Sequence, residues 1–129
     1  MLSMSKPAER NETPSLAEVV RRAVEICDPS DEDADLGDLQ DAFEDDDEPV
    51  TAVGDVETRI WEAVGRRTDP EPYNPSVTMA AATAVYLAFR RDELGDKPEE
   101  ILRLAARSEW KGQPPEDVHG WLEERGVEV

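Results

Sequence analysis

"SVTMAAATAVYLAFRRDEL", Ser76 to Leu94, is the stretch on which the fold turns. From Val77 to Phe89 it is apolar nearly all the way round a helical wheel, and the first charge comes at Arg90. A helix apolar along one stripe lies on a surface, whereas one apolar on every side has to be enclosed by other elements. Its alanines let those neighbours come close. Asn74-Pro75 in front reads as an N-cap followed by proline at the first helical position, where a missing N–H is tolerated. The run is too short to cross a bilayer, which takes about 20 apolar residues. It therefore predicts a central helix over about 75–94 with the rest of the chain packed around it.

The surrounding elements follow from periodicity. Ser15 and Glu18 have capping-box spacing, and Leu16, Val19, Val20, Ala23, Val24 and Cys27 then fall on one helical face that ends at Asp28-Pro29. Leu36, Leu39 and Phe43 mark a short amphipathic helix. "TAVGDVETRIWEAVGRR", after Pro49, places Val53, Val56, Ile60 and Val64 on one stripe with Trp61 beside it. The proline-rich "TDPEPYNP" forces an extended connection into the central helix. Beyond Gly95, Asp96 and Glu99 again have capping-box spacing, and Ile101, Leu104, Ala105 and Ser108 form the next stripe. Gly112 and Pro114-Pro115 break it. A last helix carries Val118, Trp121 and Leu122 and stops at Gly126, with Val127 placed to fold back on it. Apart from the tail "VEV", no segment alternates with period two. The expectation is an all-α protein, a single domain of about six short helices over 14–129, preceded by a disordered segment 1–13.

Charge describes the medium. Among 129 residues, 32 acidic side chains face 14 basic ones, a net charge of −18, and −12 of it falls before Pro49. "DPSDEDADLGDLQDAFEDDDEP", Asp28 to Pro49, holds twelve carboxylates and no cation, so residues 28–48 are expected to be only marginally helical. Leu, Ile, Val and Phe number 26, a lean core for a folded chain. Three lysines against eleven arginines, abundant Asp and Glu, and few aliphatics resemble the proteins of salt-accumulating halophilic archaea. That resemblance covers the whole chain and implies a solvent, with cations loosely held at the acidic surface. No basic-apolar leader precedes the first helix, so a cytoplasmic protein with no membrane segment is expected.

Reactive chemistry is sparsely provided. A calcium loop starting at Asp31 has Leu36 where glycine belongs and Ala42 where the bidentate glutamate belongs; a start at Asp28 fails at Asp33 and Leu39. His119 and Cys27 are the sole residues of their types, too few for a zinc site, and Cys27 lies on an apolar stripe where a buried thiol is the default. No glycine-rich phosphate cradle is present. No metal, cofactor or catalytic residue is assigned, and the chain is expected not to be an enzyme.

Two binding readings remain. Trp110, followed by a turn, together with Trp61 and Tyr73, offers aromatic anchors for another protein or for self-association. The alternative is nucleic acid. "KPEEILRLAARSEWKGQPPEDVHGWLEERGVEV" resembles the helix, turn, second helix and "LEERG" ending of winged-helix transcription factors, over about a third of the chain. It departs from them in a long turn from about Ser108 to Pro114, and in having no basic residue on the second helix before Arg125. It also ends where a wing would follow. The resemblance implies DNA contact through Arg103, Arg107, Lys111, Asp117 and His119. Glu-Arg pairs at i,i+4, as in Glu18-Arg22, Glu62-Arg66 and Glu99-Arg103, point the other way, toward cations neutralised within the protein. The favoured expectation is an adaptor or regulatory subunit that binds protein.

Overall fold

A computed structural model describes residues 14–68, 75–90 and 95–128. The segment 1–13, Tyr73, Asn74, most of the proline-rich connection and the stretch 91–94 lie outside the described residues. Six α-helices follow one another: α1 Leu16–Cys27, α2 Ala34–Ala42, α3 Val56–Thr68, α4 Pro75–Phe89, α5 Pro98–Trp110 and α6 Glu116–Glu124. No strand occurs among the described residues, only an isolated antiparallel bridge between Ser15 and Pro49.

Helix α4 is the axis of the domain, and each of the other five packs against it. Every residue from Val77 to Ala88 except Thr78 is buried, including Ala80, Ala81, Ala82, Ala84 and Ala88. Thr83 is the polar residue inside this shell. Its hydroxyl donates to the Met79 carbonyl at 2.7 Å, one turn back in its own helix. As the periodicity predicts, α1 buries Leu16, Val19, Val20, Ala23, Val24 and Cys27 against the shell.

Helix ends explain how a chain this polar stays ordered. At α1, the Glu18 N–H donates to Ser15 Oγ at 3.1 Å and the Ser15 N–H donates to Glu18 Oε1 at 2.8 Å, closing the capping box. The Leu16 and Ala17 N–H groups donate to the carbonyls of Glu48 and Asp46, so the acidic segment itself closes the helix start. Asp28 accepts from the N–H groups of Glu32 and Asp33, and Asp33 caps α2 by accepting from Asp35. Leu36, Leu39 and Phe43 are buried, so the acidic stretch is folded through its apolar side. At the far end Gly126 has φ of 75°, a conformation that suits glycine. The Gly126 and Val127 N–H groups donate to the Glu123 and Leu122 carbonyls, which brings Val127 back into the core.

Three local expectations are corrected. The third helix does not start directly after Pro49: a 3-10 turn, Val50–Ala52, comes first, and Asp55 at φ of 53° turns the chain before α3 opens at Val56. In α5, Pro98 takes the first helical position and makes Lys97 the N-cap without a side-chain bond, so the Asp96/Glu99 spacing forms no capping box. The buried face of α5 is Ile101, Leu102, Ala105 and Ala106, while Leu104 is half-buried and Ser108 exposed. Packing against α4 buries this face, two alanines included, a choice periodicity leaves open.

Candidate functional site

Where α4 ends, the enclosing shell ends too. Phe89 is 64% exposed, the one large hydrophobic side chain in that state among the described residues. Next to it an open recess of about 460 Å³ is lined by Val50, Val53, Val56 and Ala88, with Thr51, Asp55, Glu57 and Thr58 around them. The recess lies between the segment that precedes α3 and the end of α4. The 3-10 turn at Val50–Ala52 and the left-handed Asp55 form the segment that lines it.

Its surroundings are anionic. Asp55 and Glu57 are exposed, and burial, followed by the charge of Glu57, raises the Glu109 carboxyl of α5 above the usual carboxylate range. Arg59, one turn further along α3, is engaged by Asp46 at 3.4 Å. The site therefore offers apolar surface with unfavourable negative charge beside it, an arrangement that a ligand with an apolar group and a cation would relieve.

Trp61 and Trp110 are half-buried and pack against the core, and Trp121 is buried with its Nε1 donating to Ser76 Oγ at 2.8 Å. Neither Trp61 nor Trp110 lines the recess. Tyr73 lies outside the described residues. Sequence reasoning assigned Phe89 to the enclosed helix and so missed it, along with Asp55 and Glu57. The signal was Arg90, the first charge after the apolar run, which is exposed directly after the helix ends.

The residues suggested for DNA contact are spread among carboxylates. Arg103 is ion-paired with Glu100, one position from the spacing-based partner Glu99, and that bond holds the Glu100 carboxyl below its ordinary range. Arg107 and Lys111 are exposed, and Lys111 ends α5 in a left-handed conformation with φ of 55°. Asp117 accepts from the Val118 N–H at 2.9 Å, and His119 Nδ1 lies 3.8 Å from Glu123. Helices α5 and α6 each pack on α4, with no comparable packing on each other, unlike a helix-turn-helix pair.

A second cavity, about 370 Å³, touches Cys27, Asp28, Glu32, Asp33, Ser76 and Arg125. The polar groups around it already hold the fold: Asp28 receives two N–H groups, and the Arg125 guanidinium stacks 3.7 Å from the Trp121 ring centroid. Burial pushes the Cys27 thiol up to about 12, opposed by a hydrogen bond with Thr83. Cys27 is thus an inert core thiol. Among the described residues no group of three or more His, Cys, Asp or Glu side chains is arranged to hold a metal ion, and no helix is long and apolar enough to cross a membrane.

A pH prediction follows from the thiol. Its folded pKa lies above the ordinary value of 9.0, so the protonated form is favoured in the fold. This contribution is intact below that value and is lost as pH rises from there toward 12, because the unfolded chain releases the proton first. Stability should fall by about 1.4 kcal/mol per pH unit more steeply in the native chain than in Cys27→Ala. Urea melts of both chains between pH 8 and 11 measure it; parallel pH profiles would show that Cys27 is solvated. Comparison with protein-family models, curated proteins and solved structures gave no significant match.

Proposed function

We propose that the protein is a non-catalytic, salt-adapted cytoplasmic adaptor that takes a segment of another protein on the Phe89 recess. The partner segment carries an apolar side chain flanked by Lys or Arg. One observation carries the reading: an aromatic ring 64% exposed beside a recess walled by three valines, the one large hydrophobic side chain so exposed among the described residues. Exposed aromatic anchors of this kind dominate the energetics of protein contacts. Charge supplies selectivity, since Asp55 and Glu57 suit a cation and repel the acidic surfaces expected of salt-adapted proteins. At molar salt the screening length is about 3 Å, so only cations in direct contact benefit, and the apolar recess supplies most of the affinity.

DNA binding is disfavoured by the Arg103–Glu100 pair and by the acidic first turn of α6, Glu116 and Asp117. Both readings meet one experiment. Tagged native protein and Phe89→Ser are used to capture partners from host lysate at native salt, with and without nuclease. A protein retained by the native chain through nuclease treatment, and reduced at least about tenfold by Phe89→Ser, supports docking at the recess. Cross-linking should then place a Lys- or Arg-flanked apolar segment against Val53 or Phe89. Equal capture by both chains rejects the recess, and DNA recovery with partners released by nuclease moves function to α5 and α6. Phe89→Ser should leave the melting temperature within about 2 °C, because the ring it removes is already exposed.

A further inference from the structure

We propose that, until its partner arrives, the recess of each molecule is occupied by Phe89 and Arg90 of a second copy of this chain, in a two-fold symmetric dimer that the partner has to open. The inference rests on the docking reading above and names what competes for the same site. The recess suits an apolar group with a cation beside it, and the end of α4 supplies that pair. Phe89 is the one large hydrophobic side chain so exposed among the described residues, and Arg90 directly after it is exposed too. The Arg90 N–H donates to the Tyr86 carbonyl at 2.8 Å, so its backbone is held to the last turn of the helix. Asp55 and Glu57 are exposed members of the lining, and Arg90 follows a third member, Phe89. One small surface thus carries a ring, an apolar hollow fit for a ring, a cation and two anions.

A surface that holds both halves of a contact is self-complementary, and a two-fold axis satisfies both halves at once. The Phe89 ring of each copy enters the recess of the other, and each Arg90 meets Glu57 of the other copy. Elsewhere the two molecules repel, since each carries a net charge of −18. At molar salt that repulsion is screened within about 3 Å, whereas ion pairs drawn partly out of solvent are screened much less. An exposed cation at the contact therefore lets two chains this acidic meet, and it fixes the surface on which they do so. A buried aromatic ring contributes about 150–250 Å², against about 800 Å² a side in a stable complex, so the dimer is weak and yields to a tighter partner.

Sedimentation equilibrium of the full-length chain tests the proposal in about 2 M KCl, from about 5 to 500 µM, a range that brackets weak contacts. The native protein should pass from monomer to dimer, and Phe89→Ser should stay monomeric at every concentration. Arg90→Glu and Glu57→Arg are then made as separate proteins. Alone, each sets like charges together at both contacts and should weaken self-association at least about tenfold. Mixed in equal amounts they should associate as the native chain does, because a dimer with one copy of each again pairs opposite charges at both contacts. Mixing cannot repair a misfolded chain, so rescue separates the contact from stability. A native chain that stays monomeric throughout, with partner capture still dependent on Phe89, overturns the second-copy occupant and leaves the docking reading standing. A monomer whose partner capture ignores Phe89→Ser overturns both. A dimer that survives Phe89→Ser lies on another surface and overturns the proposal, as does a mixture of the two charge variants that stays monomeric.

Discussion

Raising KCl from about 0.1 to 2 M should raise the melting temperature by about 10–20 °C, the largest effect expected for this protein. The chain carries a net charge of −18 on 129 residues, and ion pairs such as Arg22–Glu25, Arg59–Asp46 and Arg103–Glu100, seen among the described residues, leave that excess unchanged. The remaining repulsion acts mostly on the compact state, because unfolding moves like charges apart. The screening length is about 10 Å at 0.1 M and about 3 Å at 1 M, which covers most distances between neighbouring surface carboxylates. Relief of a few kcal/mol corresponds to the temperature shift given, at roughly 4 °C per kcal/mol for a domain of this size. Repeating the melts with a neutral osmolyte separates screening from general exclusion. A melting temperature flat in KCl would sink the salt-adaptation reading.

Leu39→Ala should cost about 2–4 kcal/mol, enough to unfold much of the population at low salt. Leu39 is 1% exposed on α2, which packs against α1, α3 and α4, so truncation leaves a cavity between four helices. The neighbouring Asp38 is exposed, and Asp38→Ala should stay within about 0.5 kcal/mol of the native chain. Urea melts of the three proteins in 2 M KCl decide the matter. If Leu39→Ala is as mild as Asp38→Ala, the acidic segment is not docked in solution, and the closing of α1 by the Asp46 and Glu48 carbonyls is lost with it.

These effects come from features whose visibility in the sequence differs. The burial of Leu36, Leu39 and Phe43 could be anticipated despite twelve carboxylates around them, because an i, i+3, i+7 spacing of apolar groups has one helical solution. Ser15 and Glu18 could be read as a capping box because that bond pattern closes within four residues. The face presented by α5 could not: Leu104 and Leu102 satisfy a helical stripe equally well, and packing on α4 buries Leu102 and leaves Leu104 half-buried. Side-chain pairing was similarly open. Glu18 completes a cap, and Arg22 reaches both Glu25 and the Asp96 carbonyl far along the chain.

The candidate site lies wholly on the less visible side. Phe89 closes an apolar run whose other members are nearly all enclosed, and its own exposure is set by what packs around the end of α4, with Val50, Val53 and Val56 beside it from more than thirty residues earlier. The left-handed Asp55 directly before α3 is a turn that "VGDVE" suggests only as a glycine beside an aspartate.

By itself the sequence determined the helical class, the enclosed position of most of residues 77–88 and the acidic composition, because each depends on composition or on contacts within a few residues. Tertiary structure decided which face α5 turns inward, that the end of the acidic segment seals the start of α1, and that the end of α4 stays open beside Val50, Val53 and Val56. Those features depend on how distant segments share space around one helix, and no local periodicity encodes that.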